Sequence, residues 1–385
     1  MVATLIGPDL ASRRPGRCRC RWPCQRTSRR IGDDVLAATR RFRCAGLVID
    51  MRFLVLGGTA WLGRTVATDA ADRGHEVACL ARGDSGDVTS GVRFVRADRD
   101  RDDAYDQVAD KHWDAVIDVA RHPGYVRRAV ARLEPVAAHC LFVSSANVYA
   151  SQREVHQDES APLLQPLEPD VMDTMEVYGE AKVACENAVT AGFGPERSLI
   201  ARAGLIGGPG DSSGRTGYWP WRFARPSNPD GIVVVPDAPD VPTALIDVRD
   251  LAAWLVTCAE SGTPGVFNAG ANHMLLPDHL SVARAVAGHT GQLLSVPPRW
   301  LAEHGVQSWS GQASMPLWLD DPEWYGMNAR DTSRAHAAGL LPRPLHQTLA
   351  DTLTWELSRP HPGPHGAGLT DQEEQDLIKS IADGR

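Results

Sequence analysis

Three side chains that can hold or move a proton stand out by type and spacing: Ser145, Tyr178 and Lys182. Lysine occurs only three times among the 385 residues, and Lys182 lies four positions after Tyr178. On a helix this spacing places the ammonium one turn from the phenol on the same face. A neighbouring cation stabilises phenolate over phenol, so the pair suits general acid/base catalysis. A chance tyrosine and lysine on a solvated helix is the alternative interpretation of the pair alone.

The serine ends an apolar segment. Cys140–Val143 has the composition of a buried strand and is followed directly by Ser144 and Ser145. Ligands of a doubly wound sheet bind beyond the carboxyl ends of its strands, so a hydroxyl there could hold a substrate oxygen beside Tyr178. Serines at a strand exit also form ordinary turns, which is the alternative for Ser145.

A glycine-rich turn lies upstream of Ser145 and Tyr178 in the sequence. The apolar run 52–56 precedes Gly57-Gly58-Thr59-Ala60-Trp61-Leu62-Gly63, and a helical pattern follows until Gly74. A strand, glycine turn and helix in this order let backbone N–H groups and the positive helix end face a pyrophosphate. Ala60 stands where the middle glycine is expected, and its methyl crowds that approach. A glycine turn in another α/β protein is the alternative interpretation.

The segment after this helix indicates which dinucleotide would bind. Residues 75–83 form the pattern of a second strand, whose end carries the acid that binds a ribose 2′-hydroxyl in NAD-specific proteins. Ala81 occupies that place and Arg82 follows, which suits a 2′-phosphate. We therefore expect NADP, with NAD as the second choice. The alternatives for Arg82 are stacking on adenine or a position in solvent.

Together these motifs resemble the extended short-chain dehydrogenase/reductase superfamily, in particular a reductase-like branch of the NAD-dependent epimerase/dehydratase family. The resemblance runs from Met51 to about Glu356 and includes the glycine turn, Ser145 before Ala-Asn-Val-Tyr, the Tyr178-x-x-x-Lys182 pair and the string Ala244–Ala252. It implies an α/β fold: a Rossmann-type doubly wound parallel sheet with a small C-terminal substrate-binding region.

The resemblance also implies roles for individual residues. Ser145 would hydrogen-bond the reacting hydroxyl or carbonyl, Tyr178 would donate and accept the proton, and Lys182 would bind the nicotinamide ribose and acidify the tyrosine. Asp98 would contact adenine, and Val119 with Ala120 would border the path of the dinucleotide. The pyrophosphate would lie along Gly57, Gly58, Thr59, Ala60, Trp61, Leu62 and Gly63.

The substrate side departs from the nucleotide-sugar enzymes of the superfamily. Leu205 and Gly207 stand where those enzymes resemble one another in an asparagine and a tyrosine, which makes a nucleotide sugar a less favoured substrate. Ala146-Asn147 stands where sugar 4,6-dehydratases have an acidic pair. Weaker substrate candidates are Trp219, Trp221 and Arg222, which could stack on a ring and clamp an anion, and Arg343, implied by resemblance. Packing of a small cap is the alternative for the tryptophans.

Three hypotheses for function follow from these residues. The first is an NAD(P)-dependent oxidoreductase, a reductase that acts on a carbonyl or hydroxyl carbon of a small molecule. The second is a sugar epimerase or dehydratase, of the nucleotide-sugar type, that retains its cofactor. The third is a non-catalytic dinucleotide-binding regulator or RNA-associated protein on the same scaffold, because a fold does not fix a function.

Composition agrees with an enzyme of the cytoplasm. Hydrophobic residues make up 43% of the chain and charged residues 23%, and no apolar run reaches the roughly 18 residues that a membrane span needs. We expect no membrane or nucleic-acid partner and no metal, since Cys18-x-Cys20-x3-Cys24 fits no common zinc spacing. The later cysteines lie singly in apolar segments, as reduced thiols do. A homodimer is implied by resemblance alone.

The first fifty residues differ from the rest, with 11 arginines, no lysine and four acids. We predict a disordered extension for residues 1–50, or upstream sequence with Met51 as the natural start. Residues 51–205 are predicted to form the dinucleotide-binding domain. Residues 206–358 are predicted to form a substrate-binding region interleaved with the last Rossmann elements, and residues 359–385 a linker and short helix.

Overall fold

The computed structural model describes residues 50–384, and the predictions for the arginine-rich extension lie outside them except at Asp50. The strands are β1 (Arg52–Leu56), β2 (Glu76–Ala81), β3 (Arg93–Arg96), β4 (Ala115–Asp118), β5 (Cys140–Ser145), β6 (Ser198–Ala203), β7 (Ile206–Gly207), β8 (Val233–Pro236), β9 (Pro242–Thr243), β10 (Ile246–Asp247), β11 (Gly265–Ala269), β12 (Met274–Leu275), β13 (Leu293–Val296), β14 (Gln307–Trp309) and β15 (Ser314–Pro316).

The α-helices alternate with these strands in the first half of the chain and cluster toward its end. They are α1 (Trp61–Asp72), α2 (Pro123–Leu133), α3 (Tyr178–Phe193), α4 (Tyr218–Ala224), α5 (Val248–Ser261), α6 (Leu276–Ala287), α7 (Pro298–Glu303), α8 (Ser333–Ala337), α9 (Leu345–Ser358) and α10 (Asp371–Ala382). Short 3-10 turns lie at Glu134–Val136, Ala146–Val148, Met175–Val177, Pro195–Arg197 and Pro322–Asn328.

Seven strands form the central sheet, in the order β3-β2-β1-β4-β5-β6-β11, and every neighbouring pair is parallel. The order reverses between β1 and β4, where consecutive crossovers leave on opposite faces. This reversal opens a crevice at the carboxyl edge of the sheet, which is the ligand-binding position of doubly wound folds. The predicted fold class is confirmed.

Both faces of the sheet are buried, which is why its strands are nearly continuous apolar runs rather than alternating ones. Phe53 and Val55 of β1 pack into one core with α1 and α5, while Leu54 and Leu56 pack into the opposite core with α2 and α3. All four side chains have no exposed surface. The rigid sheet therefore fixes the positions of the strand ends that carry the candidate site.

A third core is formed by residues that follow the sheet in the sequence. It joins α4, α6, α9 and α10 with β8 and β13. Thr370 caps α10 in a reciprocal capping box with Glu373. Glu374 of α10 is fully buried and accepts a hydrogen bond from the backbone N–H of Val234 in β8. The last helix, α10, is therefore part of this third core. Within residues 50–384, no helix has the length and hydropathy needed to cross a membrane.

Candidate active site

The glycine turn connects β1 to α1 by close backbone contacts. Gly57 has a φ of +90°, in the left-handed region that favours glycine. A Cβ on Gly58 would lie 2.2 Å from the Cys79 Sγ, and one on Gly63 would lie 2.3 Å from the Gly57 carbonyl oxygen. Ala60, by contrast, is the N-cap of α1 with φ −76° and ψ 159°. Since this is an ordinary extended conformation, an alanine fits where the usual motif has a glycine.

This packing predicts the effect of one added methyl group. We expect Gly58→Ala to lower the free energy of unfolding by about 1–3 kcal/mol, because the new Cβ overpacks the buried contact with β2. Urea denaturation measures the change. Gly204→Ala is the matched control, because its Cβ would meet nothing within 4 Å and its φ lies outside the left-handed region. Equal stability of the two variants would contradict the close approach.

A cavity of about 460 Å³ opens beside the turn, where the sheet order reverses. Ser85, Arg121 and Tyr125 contribute to its wall, together with most of the residues predicted to bind the dinucleotide: Gly57, Thr59, Ala60, Arg82, Asp98, Val119 and Ala120. Leu62 and Gly63 lie in the first turn of α1, whose N–H groups have no intrahelical acceptor. The glycine cradle, the free amides and the cavity together fit the pyrophosphate and adenosine parts of a dinucleotide.

Two predicted cofactor residues lie in local contacts within this cavity. Arg82 is exposed, and its Nε lies 3.1 Å from the Asp84 Oδ2. Asp98 accepts a hydrogen bond from the backbone N–H of Asp100 at 3.2 Å. Neither side chain is buried, so both can turn toward a ligand.

The floor of the cavity contains a buried ion pair that the sequence did not reveal. Arg99 donates from its two terminal nitrogens to the carboxylate of Asp118, at 2.8 and 2.6 Å, and also to the carbonyl oxygen of Tyr125. Asp118 ends β4, and its Oδ1 accepts the N–H of Ala120. In the sequence, this ion pair is indicated by Asp118, an acid at the end of an apolar strand. The pair fixes the backbone of Val119 and Ala120 against the cavity.

Ser145 and Tyr178 line a second cavity of about 450 Å³ at the same edge of the sheet. Ser145 is the last residue of β5; its Oγ donates to the Asn147 Oδ1 at 3.1 Å and accepts from the Asn147 N–H at 3.2 Å. Tyr178 is the first residue of α3. The structure thus brings the serine and the phenol to one cavity, although they are 33 positions apart in the sequence.

Lys182 lies one turn into α3 and is 3% exposed. Its Nζ is 6.0 Å from the centre of the Tyr178 ring and donates to the carbonyl oxygens of Ala120, at 2.7 Å, and Val143, at 2.6 Å. Ala120 borders the first cavity, so the ammonium holds a backbone carbonyl at that border. A compact ammonium reaches both carbonyls where a planar guanidinium would not fit.

A buried network supports this wall from behind. Arg202 of β6 binds the carboxylate of Glu186 in α3, with its Nη2 2.8 Å from the Glu186 Oε2. The Ser144 Oγ donates to the other carboxylate oxygen at 2.5 Å, and Arg202 also donates to the Tyr149 hydroxyl. Both side chains of the ion pair are 5% exposed. The network ties α3, which carries Tyr178 and Lys182, to the strand that carries Ser145.

The four weaker substrate candidates do not line the cavity of Tyr178. Arg222 has no exposed surface and binds Asp371 and the Leu369 carbonyl, while its guanidinium lies 4.9 Å from the ring centre of Trp221. Trp219 is equally buried and donates to the Pro316 carbonyl. Arg222 thereby joins α4 to α10, and the two tryptophans are buried, as the packing alternative for the tryptophans describes.

Arg343 is likewise placed elsewhere. Its guanidinium binds the carboxylate of Asp250, with an Nη2 to Oδ1 distance of 2.7 Å, and lines a different cavity beside α6 and α9. The sequence position near the end of the substrate region suggested a pocket residue, but an acid on α5 takes up its charge.

Several other residues of the Tyr178 cavity were not among the residues predicted from the sequence. Arg215 and Asp211 of the loop after β7 are the charged residues in its described lining, and Trp309 adds an aromatic wall. Trp61 of the glycine turn also reaches this cavity and donates from its indole N–H to the Pro209 carbonyl at 2.9 Å. This loop is rich in glycine, but its composition does not indicate which side chain faces the site.

Residues 53–139 match the family model of the NAD dependent epimerase/dehydratase family. A search of curated protein sequences finds no significant match. UDP-N-acetylglucosamine 4-epimerase from Bacillus cereus is a similar solved structure, with 15% identity and a TM-score of 0.58 over 82% of this chain and 99% of that chain.

Two further solved structures have comparable sequence identities and TM-scores to this chain. UDP-glucose 4-epimerase from Bifidobacterium longum, in complex with NAD+ and UDP, has 17% identity and a TM-score of 0.55, covering 80% of this chain and 99% of that chain. The NAD-dependent NDP-hexosamine 5,6-dehydratase TunA has 16% identity and a TM-score of 0.58, covering 80% and 98%. At these identities the structures show a shared fold. The family match over residues 53–139 confirms the predicted resemblance to the NAD-dependent epimerase/dehydratase family and the assignment of the chain as an enzyme of the epimerase or oxidoreductase type.

Proposed function

We propose that the protein is an NAD(P)-dependent reductase of a small carbonyl compound, with Ser145, Tyr178 and Lys182 as its catalytic residues. One observation carries the proposal: the phenol and the serine line one cavity, and Lys182, one turn after the phenol, donates to the carbonyl of Ala120 at the border of the neighbouring cavity. A reacting carbon at this junction could meet both a proton donor and a hydride donor.

The chain's own groups suit the proton side of this reaction. A bound dinucleotide would supply the hydride. Tyr178 would donate its phenolic proton to the carbonyl oxygen as negative charge develops there, and the Ser145 Oγ would donate a hydrogen bond to the same oxygen. The Lys182 ammonium would stabilise the phenolate that remains. The buried Glu186–Arg202 pair would hold α3 in register with β5 during the reaction.

An incubation of candidate carbonyl substrates with and without added NADPH tests the proposal. A reductase consumes one NADPH for each carbonyl reduced, which absorbance at 340 nm follows directly. Turnover of a hydroxyl substrate without net consumption of the cofactor would contradict reduction and favour epimerisation.

The second candidate is a sugar epimerase that retains its cofactor, and the similarity to solved nucleotide-sugar epimerases favours it. Against a nucleotide sugar, the apolar Leu205 lines the cavity and offers no polar contact. Against elimination, Asp211 is the acid of the described lining, and its carboxylate already accepts hydrogen bonds from Ser213 and Thr216. A non-catalytic regulator or RNA-associated protein is a third candidate, which the retention of tyrosine and lysine in one site disfavours.

For the cofactor we propose NADP over NAD, because Arg82 borders the adenosine side of the cavity and a basic residue there suits a 2′-phosphate. We expect Arg82→Ser to weaken NADPH binding by about 10- to 100-fold and to leave NADH binding unchanged. Fluorescence titration of both dinucleotides measures this. Arg101→Ser, at an exposed position outside the cavity, is the control. Equal loss for both dinucleotides would contradict recognition of the phosphate.

We further propose that residues 51–205 bind the dinucleotide and that residues 206–358 supply the substrate side, with 359–385 as linker and terminal helix. Cytoplasmic location is supported by four buried free thiols, at Cys79, Cys140, Cys185 and Cys258. A homodimer, implied by the family resemblance, completes the proposal.

A further inference from the structure

The cavity of Ser145 and Tyr178 contains one cationic side chain in its described lining, Arg215. We propose that Arg215 binds an anionic group of the substrate, a carboxylate or a phosphate, while the carbonyl carbon of that substrate faces Tyr178. This inference rests on the proposed function and names the chemical class of its substrate: a small carbonyl compound that carries a negative charge.

The first support is the bonding of the guanidinium. Arg215 donates from its Nε to the Ser213 Oγ at 3.1 Å, and its guanidinium carbon lies 5.0 Å from the centre of the Trp309 ring. Among residues 50–384, neither terminal nitrogen of Arg215 has a hydrogen-bond partner. Four N–H bonds at the open end of the fork are therefore available to a ligand.

The second support is that the neighbouring acid does not neutralise this cation. The Asp211 Oδ1 accepts from the Ser213 N–H at 2.9 Å and from the Ser213 Oγ at 2.6 Å. The other oxygen accepts from the Thr216 N–H at 3.1 Å and from the Thr216 Oγ1 at 2.8 Å. Asp211 thus organises its own loop, and it makes no ion pair with Arg215 within the part of the chain that the structure describes.

The third support is electrostatic. Burial lowers the pKa of Arg215, although the charges of Asp211 and Tyr178 act in the opposite direction. A partly desolvated cation without an ion-pair partner raises the free energy of the folded protein, and an anionic ligand removes this cost. Arg215 and Tyr178 line the same cavity, so one small molecule there can face both.

The loop that carries Arg215 is held in place before any ligand binds. The indole N–H of Trp61 donates to the Pro209 carbonyl, and Gly210 packs against that same ring. Gly214 has a φ of +70°, and a Cβ there would lie 2.0 Å from the His365 carbonyl oxygen. The guanidinium carbon lies over the Trp309 ring, and the planar guanidinium can offer two parallel hydrogen bonds to a carboxylate or phosphate.

Isothermal titration of the protein with bound NADP+ tests the proposal with two matched pairs of probes. Acetoacetate is compared with acetoacetamide, and dihydroxyacetone phosphate with dihydroxyacetone. We expect at least one anionic probe to bind more than about tenfold more tightly than its neutral partner, and the pair that shows this preference identifies carboxylate or phosphate as the anion. The absence of any such preference would overturn the proposal.

Variants then assign the preference to one side chain. Arg215→Gln is expected to weaken binding of the preferred anionic probe by about 10- to 100-fold and to leave the neutral probes and NADP+ unchanged. Arg225→Gln removes an equal charge from an exposed position outside both cavities and is expected to change neither. An Arg215→Gln protein that binds the anionic probe as tightly as the parent would refute the assignment.

Two further measurements separate this inference from protein misfolding and from the proposed reaction. Thermal unfolding of Arg215→Gln without ligand is expected at or above the parent's temperature, because the change removes an unpaired, partly buried charge. Tyr178→Phe is expected to retain the anion preference in the binding assay. If Tyr178→Phe also kept full turnover, the proposed reaction would fail while the result for Arg215 would stand independently.

Discussion

Tyr178→Phe is expected to lower kcat for carbonyl reduction by about 100- to 10,000-fold, the range that a lost general acid produces. The change removes one hydroxyl from the cavity wall shared with Ser145, and the ring that packs beside Lys182 remains. Dinucleotide binding should therefore be unaffected. Steady-state kinetics at saturating NADPH measures the loss, and fluorescence titration measures cofactor affinity.

Tyr325→Phe is the matched control for this experiment, because its phenol lies outside both cavities. We expect it to retain the parent's kcat. A Tyr178→Phe protein with parental turnover would remove the phenol from the mechanism. It would also move the interpretation toward a protein that binds a dinucleotide without reacting.

Arg202→Met is expected to lower the free energy of unfolding by about 3–5 kcal/mol, since it leaves the buried carboxylate of Glu186 without its counter-ion. The two side chains are 5% exposed, so water cannot solvate the remaining charge. Urea denaturation at neutral pH measures the loss. Arg299→Met, which breaks the exposed pair with Glu303, is the control and is expected to change stability by less than about 1 kcal/mol.

A double variant distinguishes an unpaired charge from a packing defect. Combining Glu186→Gln with Arg202→Met removes both charges and should recover part of the stability lost in the single variant. A double variant less stable than the sum of the two single changes would show that volume, rather than charge, dominates at this position.

The Rossmann half of the molecule could be predicted from sequence because its signals are local. The run 52–56, the glycine turn and Gly74 encode a strand, a turn and a helix in consecutive residues, and the structure has β1, α1 and β2 in that order. The offset between Tyr178 and Lys182 likewise needs only a helix. Parallel pairing then brings the strand ends to one edge, where Ser145 meets Tyr178.

The substrate half could not be predicted in the same way. Trp219, Trp221 and Arg222 have residue types that bind ligands, yet all three are buried. The guanidinium of Arg222 binds Asp371 and the Leu369 carbonyl, about 150 positions later in the sequence. Arg343 forms an ion pair with Asp250, 93 positions earlier in the sequence. No sequence motif marks Arg215. Its terminal nitrogens are open to a ligand because Asp211 binds Ser213 and Thr216 instead. Long-range ion pairs decide which arginine remains open, and composition does not encode those pairs.

The fully buried Arg222 has a consequence for the length of the molecule. Its charge is balanced by Asp371 and Glu374, acids on a helix that begins some 150 residues later. A chain shortened to end at α9 would leave the Arg222 guanidinium without its two acids. It would also expose the core formed by α4, α6 and α9 to water. Residues 359–384 therefore stabilise this core through α10, and any minimal active fragment has to retain them.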